Sequence, residues 1–182
     1  LDVLFEEGYT PREIRFWLLS GHYRKPLTFD RDRLIQARNT LNRLDACVQA
    51  LLNVSAGEPY PEIDQLVYDI KQGLIHAMDD DLNMPHAIAA IFKAVRQINR
   101  LIDNRQLDAA GAEKILESFK EIDQVLKIFD FNPARVDAEV QDLMAQREAA
   151  RRRGDFAEAD RIRDQLKAKG FEVHDQKLGR SE

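Results

Sequence analysis

Apolar residues recur at alternating intervals of three and four positions along most of this chain, the spacing of an amphipathic α-helix. The pattern predicts four consecutive helices, the first of which is capped by Asp30 and runs to about Asn53. No apolar stripe is buried alone, so these helices are expected to pack into a bundle. The predicted inward residues, helix by helix, are Leu34, Ala37, Leu41, Leu44, Val48 and Leu51; Ile63, Leu66, Ile70, Leu74 and Ala77; Ile88, Ile91, Val95, Ile98 and Ile102; and Ile115, Phe119, Ile122 and Leu126.

A shorter helix is predicted before the bundle, over residues 11–20. Thr10 is placed to cap it, Pro11 suits its first position, and Glu13 completes a capping box. Gly21 follows as a stop signal.

Two more helices are predicted after residue 133, over about 137–153 and 155–169. Gly170 is the expected residue after the second helix, and residues 171–174 alternate as in a short strand. The residues predicted to face inward on the second helix are Phe156, Ala159, Ile162 and Leu166.

These elements predict a mainly α protein, in which an antiparallel helical bundle is followed by a small α(+β) C-terminal domain. We divide the chain into residues 1–30, 31–132 and 133–182.

The charge of the chain is uneven. Its 182 residues carry a net charge of −5, yet residues 147–169 hold eight Lys/Arg against five Asp/Glu, a local +3 that leaves −8 for the remainder. A basic segment on an acidic body indicates local contact with an anion; a solvated helix face with mixed charges gives the same pattern.

The sequence contains no recognisable catalytic set. It has neither a Ser/His/Asp arrangement nor a Gly-rich phosphate loop, and its single Cys47, among apolar neighbours, is predicted to be a small core residue. No apolar run approaches the roughly 20 residues of a membrane span, and no signal peptide is visible. The missing initiator Met leads us to expect an excised or processed piece.

Two short stretches invite a functional interpretation. Asp79, Asp81 and Asn83 fit the first positions of a calcium loop, but Ala90 stands where a bidentate Glu is needed. We therefore expect no metal, and predict that Asn83 or Asp81 caps the next helix. The basic and aromatic residues 22–25 fit either a phosphate contact or a turn packed on the bundle.

Three stretches in order resemble the cysteinyl-tRNA synthetase family. Residues 11–27 are similar to the helix and HYR-x-PL segment that follow the family's KMSKS loop. Residues 77–87, AMDDDLNMPHA, are similar to AMDDDFNTPEA in its DALR helical domain. Residues 147–171 resemble the C-terminal, anticodon-binding end of the family.

This resemblance implies a C-terminal part of such an enzyme, with stem-contact, DALR and anticodon-binding regions and without the N-terminal catalytic domain. The whole enzyme would activate cysteine with ATP and Mg²⁺, use Zn²⁺ to recognise the thiol, and charge tRNA-Cys in the cytoplasm. We expect no catalytic residue, metal or cofactor in the present chain, and no activity from it alone. Its expected partners are tRNA-Cys and the catalytic domain.

The resemblance also implies individual roles. Arg151, Asp160 and Asp175 match anticodon-contacting positions of the family; Asp175 fits the segment after the strand, whereas the family's Pro and Trp-containing end are absent. Arg forks and Asp carboxylates suit the edges of unpaired bases. The residues expected to neutralise tRNA phosphates are Arg147, Arg152 and Arg163.

Two other functions stay open at this point. One is the related cysteine ligase of mycothiol synthesis, which has no use for an anticodon reader. The other is a helical scaffold that binds protein, for which we expect no salt-dependent RNA binding and no effect of charge reversal at Arg151.

Overall fold

The computed structural model describes residues 1–132, 142–143, 146–147, 149–150, 153 and 155–168. For residues 167 and 168 it describes the backbone only. The chain forms two compact units, Leu1–Phe131 and Asn132–Glu182. The helices of the first unit are α1 (Asp2–Glu6), α2 (Pro11–Leu19), α3 (Arg31–Leu52), α4 (Ile63–Asp79), α5 (Met84–Asp103) and α6 (Ala109–Leu126), and the described part of the second contains α7 (Phe156–Ala168).

The mainly α fold is confirmed. No strand occurs among the residues that the structure describes, and the predicted strand at 171–174 lies outside them. The inward stripes of α3 to α6 are also confirmed, because every predicted residue is either buried or packed against the buried core.

Four long helices form the bundle of the first unit. Both α5 and α6 pack against α3 and against α4, while contacts within the pairs α3–α4 and α5–α6 are slight. The two members of each pair therefore occupy diagonally opposite corners, and the outer faces of α5 and α6 turn away from one another.

The α3–α4 connection crosses the end of the bundle because it joins two opposite corners. On its way it passes over the α5–α6 connection, where the Glu58 amide donates to the Arg105 carbonyl over 2.9 Å. A Cβ on Gly57 would lie only 2.1 Å from the carbonyl oxygen of Leu107. Only glycine permits this approach of two backbones.

The predicted capping box of α2 is confirmed. Thr10 Oγ1 accepts from the Glu13 amide over 3.2 Å, and the Thr10 amide donates to Glu13 Oε2 over 2.7 Å. Phe16 and Trp17 then turn into the core, as expected for a helix packed on α3.

Arg12 ties three parts of the first unit together. Its Nη1 and Nη2 donate to the two carboxylate oxygens of Asp45 on α3, over 2.9 and 2.5 Å. Its Nε donates over 2.6 Å to the carbonyl of Ile128, which follows α6. This bidentate pair is the strong form of a charge-assisted contact.

Cys47 is buried in α3, so its predicted place in the core is confirmed. Burial raises the pKa of its thiol to about 12. The side chain consequently stays neutral and acts as a small apolar group.

Candidate nucleic-acid interface

Helix α7 begins after a tight break in the second unit. The Asp155 amide donates to the Ala150 carbonyl over 2.9 Å, and Asp155 Oδ1 then accepts from the Glu158 amide over 3.1 Å as an N-cap. All described residues between 142 and 150 are helical. The break therefore separates a helical segment from α7, close to the predicted position.

The buried face of α7 consists of Ala159, Ile162 and Leu166, as predicted, but the prediction for Phe156 is wrong. Phe156 is 66% exposed. At about 100° per residue, the three buried side chains cluster within roughly 60°, and Phe156 lies about 85° from their centre. Phe156 lies three positions before Ala159, which resembles the spacing of residues on one helix face. Each interval of three falls short of a full turn, and this shortfall adds up along the helix and moves Phe156 off that face.

Asp160 and Arg163, two of the predicted tRNA contacts, lie one turn apart on the exposed surface of α7. Arg163 Nη1 is 3.0 Å from Asp160 Oδ1, and the Asp160 side chain is 63% exposed. An exposed ion pair of this kind adds only about 0–1 kcal/mol to stability. A nucleic acid is therefore able to replace either partner at small cost.

Arg147, predicted to contact phosphate, is only 7% exposed, so its guanidinium is not presented to solvent as those of a phosphate-binding surface usually are. Its role stays a prediction, as do the roles of the other five candidates. Arg151, Arg152 and Asp175 lie outside the described residues.

Asp81 of the first unit holds the turn at residues 22–25 against the α4–α5 connection. Arg24 Nε donates to Asp81 Oδ2 over 2.5 Å, and the Tyr23 hydroxyl donates to Oδ1 over 2.6 Å. Arg24 and then Tyr23 hold the pKa of Asp81 far below its usual range. Of the two interpretations of residues 22–25, this geometry favours the turn packed on the bundle.

The cap of α5 is Asn83, whose Oδ1 accepts from the His86 amide over 3.2 Å. This settles the choice between Asn83 and Asp81 as the predicted cap. Within the described part of the chain, no group of three or more His, Cys, Asp or Glu side chains is arranged to hold a metal ion.

We expect Asp81→Asn to release the turn at residues 22–25, because an amide cannot accept both charge-assisted hydrogen bonds. The Lys25 amide, which donates to the His22 carbonyl over 2.9 Å, should then exchange with deuterium faster. In the wild-type chain this protection should persist at about pH 4. A carboxyl whose folded pKa is lowered stabilises the fold above its ordinary pKa, and that stabilisation is lost only as pH falls further.

Hydrogen exchange measured by mass spectrometry on peptides that span the turn tests this prediction. Asp79→Asn is the matched control, since Asp79 is exposed at the end of α4, two residues before Asp81, and has no ion pair with a described residue. Equal exchange at Lys25 in the two variants would show that Asp81 does not hold the turn.

Comparison with known proteins now identifies the relatives of this fold. The family model of the DALR domain matches residues 74–130, and that of the cysteinyl-tRNA ligase anticodon binding domain matches residues 134–180. The chain belongs to the cysteine–tRNA ligase family. The resemblance drawn from its sequence is confirmed.

Individual relatives agree. The chain is 33% identical to the cysteine–tRNA ligase of Leptospira interrogans over 188 residues, 98% of this chain and 39% of the relative. It is 40% identical to that of Halorhodospira halophila over 184 residues, 96% of this chain and 37% of the relative. The chain thus spans about two fifths of the length of these enzymes. None of its described helices is long and apolar enough to cross a membrane.

Proposed function

We propose that this chain is the tRNA-binding part of a cysteine–tRNA ligase, and that its second unit recognises the anticodon of tRNA-Cys. The observation that carries the proposal is the match of residues 134–180 to the cysteinyl-tRNA ligase anticodon binding domain. The mycothiol ligase has no use for such a domain, so the same match disfavours that alternative.

The surface of α7 supplies suitable chemistry. The Asp160 carboxylate accepts from the amino groups of guanine or cytosine, and Arg163 is released from its ion pair to meet a phosphate when a base takes its place. The exposed ring of Phe156 adds a flat apolar surface on which an unpaired base stacks. Arg151, Arg152 and Asp175 complete the set that we assign to tRNA.

The catalytic steps belong to the rest of the parent enzyme in this proposal. The complete ligase would charge tRNA-Cys with cysteine in the cytoplasm, and ATP, Mg²⁺ and Zn²⁺ are placed with its catalytic domain. We place them there because the resemblance to the cysteinyl-tRNA synthetase family assigns these groups to the N-terminal catalytic domain. The role left to the present chain is to bind and orient the tRNA.

The affinity of the chain for a tRNA-Cys transcript and for the same tRNA with a changed anticodon tests the anticodon assignment. We expect tighter binding to the native anticodon, and a loss of about tenfold of that preference, ~1.4 kcal/mol, in Asp160→Ala. Arg151→Ala should reduce the preference in the same way. Fluorescence anisotropy with labelled RNA measures both affinities.

Glu158→Ala is the matched control on α7. Like Asp160, Glu158 is ion-paired, to Arg161 over 2.8 Å, but it lies about 200° around the helix. Its removal should leave the anticodon preference unchanged. If the wild-type chain binds both tRNAs equally well, it does not read the anticodon; if it binds neither at low salt, the protein-binding scaffold becomes the better interpretation.

A further inference from the structure

Two large apolar side chains stand on the outer face of α4. Tyr68 is 57% exposed and Ile75 is 46% exposed. They are seven positions apart in the helix, so they lie about 10 Å apart along its axis and about 20° apart around it. The buried residues of α4, namely Leu66, Ile70 and Ala77, lie on its opposite side, roughly 160–180° away. Neither exposed side chain therefore contributes to the core of the bundle.

Two ion pairs show how α4 and α6 lie side by side. Lys114 Nζ is 2.6 Å from Asp64 Oδ1, and Lys71 Nζ is 2.6 Å from Glu121 Oε2. In both pairs the residue of α6 comes fifty positions after its partner on α4. The two helices therefore run parallel, and a residue of α4 is level with the residue fifty positions later on α6.

Val125 of α6 extends the apolar surface of α4. It is 66% exposed, and the register of the ion pairs places it level with Ile75. Each of these two residues follows a member of the Lys71–Glu121 pair by four positions, about one helical turn, so both stay on the side of their helix where the ion pairs form. We call Tyr68, Ile75 and Val125 the α4–α6 apolar patch.

The two helices that carry the α4–α6 apolar patch are acidic. Together α4 and α6 hold seven Asp or Glu and three Lys, a net charge of −4. Two of the three lysines, Lys71 and Lys114, are already ion-paired. Asp79, Glu113 and Glu117 are exposed and make no ion pair with any residue that the structure describes. Uncompensated negative charge therefore flanks the apolar side chains.

This combination of charge and apolar surface selects the class of partner. The phosphates of a nucleic acid and the anionic headgroups of a membrane would be repelled. A second copy of the chain, docked through the same face, would bring a charge of −4 against −4. A protein segment that combines positive charge with apolar side chains is attracted by the one and buries the other.

We propose that the α4–α6 apolar patch docks a basic amphipathic helix of another protein. Such a helix presents apolar anchors at intervals of three, four and seven, which fits the 10 Å spacing along α4 and the step across to α6. Its Lys or Arg side chains then meet Asp79, Glu113 and Glu117. The proposal goes beyond tRNA binding and does not depend on it.

The patch is separate from the apolar surface of α1 and α2. Helix α2 packs on α3, and α4 occupies the corner of the bundle diagonally opposite α3. The exposed side chains of Leu1, Val3, Phe5 and Leu18 belong to that other surface. A helix docked on α4 and α6 therefore leaves residues 1–30 uncovered.

A labelled synthetic helix of about five turns, with Leu on one face and Lys on the others, is the probe for the full chain. We expect its affinity to fall at least tenfold in Tyr68→Ala/Ile75→Ala/Val125→Ala, because central apolar anchors carry most of the binding energy. Fluorescence anisotropy measures the affinity. Circular dichroism checks that the variant is folded, as we expect from three exposed positions.

The matched control Leu18→Ala/Ile35→Ala/Leu52→Ala removes three exposed apolar side chains from α2 and α3. It should bind the probe as the wild-type chain does. A second peptide of the same composition, with its Leu residues spread around the helix, should bind at least tenfold more weakly. Equal binding of the two peptides, equal losses in the two variants, or no binding of the probe to the wild-type chain would each overturn the proposal.

Two further measurements on the patch variant test the alternative occupants. Its affinity for a tRNA-Cys transcript should equal that of the wild-type chain, and a loss would assign the patch to RNA instead. Sedimentation should show no self-association that the variant abolishes, since such self-association would assign the patch to a second copy. The ratio of affinities for native and changed anticodons is independent of these results, so the proposed function and the docking proposal fail separately.

Discussion

Replacement of Arg12 by Met is expected to lower the free energy of unfolding by about 2 kcal/mol, less than the roughly 3–5 kcal/mol of a fully buried ion pair, because this pair is only partly buried. The loss leaves the Asp45 carboxylate and the Ile128 carbonyl without their donor. The side chains of Arg12 and Asp45 are each only 25% exposed, so water replaces these hydrogen bonds incompletely. Urea unfolding followed by circular dichroism measures the change.

The stability of the Arg12→Met variant should depend on pH in a specific direction. Burial raises the pKa of Asp45 above its ordinary value, and the hydrogen bonds from Arg12 oppose that rise. Without Arg12 the pKa should rise further. A carboxyl whose pKa is raised in the folded state destabilises the fold as pH rises through that pKa. The loss of stability caused by Arg12→Met should therefore become smaller as the pH falls from about 7 to about 4.

Arg33→Met is the control for the Arg12 prediction. Arg33 lies on the exposed surface of α3, 4.0 Å from Asp30, and its loss should cost less than about 1 kcal/mol. The double variant Arg12→Met/Asp45→Leu should recover much of the stability, because it removes the stranded charge together with its partner. Equal losses for Arg12→Met and Arg33→Met would mean that the pair does not join α2 to α3.

Gly57→Ala is expected to cost about 2 kcal/mol, within the range measured for overpacked sites. The new methyl group would lie 2.1 Å from the Leu107 carbonyl oxygen, so one of the two crossing connections must move. That movement also stretches the hydrogen bond from the Glu58 amide to the Arg105 carbonyl. Thermal and urea unfolding measure the loss.

Gly111→Ala provides the same chemical change at a tolerant position. Its new methyl group would meet only side-chain atoms at close range, Leu107 Cδ1 at 2.8 Å and Asp108 Oδ1 at 3.0 Å, and these yield more easily than a backbone carbonyl; Ala also favours the helix over Gly by about 1 kcal/mol. We expect its stability to stay within about 1 kcal/mol of the wild-type chain. If Gly57→Ala is as stable as Gly111→Ala, the two connections do not cross as closely as described.

Local chemistry explains where sequence reasoning succeeded. The cap of α2 is decided by Thr10 and Glu13, which lie within one turn, and the stripe of α3 repeats over six turns. Short-range hydrogen bonds and a long periodicity are both readable from neighbouring residues. The prediction failed at Phe156 because it is the first residue of α7, where the spacing rule can be tested only against the residues that follow it.

The candidate interface was predictable only in part. Sequence marked Asp160 and Arg163 as separate contacts, whereas the structure shows them as one exposed ion pair.

The sequence by itself determined the mainly α fold, helices α2 to α7, the core stripes of α3 to α6 and the family, because each follows from local spacing or from motifs that stay contiguous in the chain. The tertiary structure alone decided that α3 and α4 lie at opposite corners, that Gly57 meets Leu107, and that Asp81 binds Arg24. These contacts join residues far apart in sequence. Their energies depend on how the chain brings them together in space, which hydrophobic periodicity does not encode.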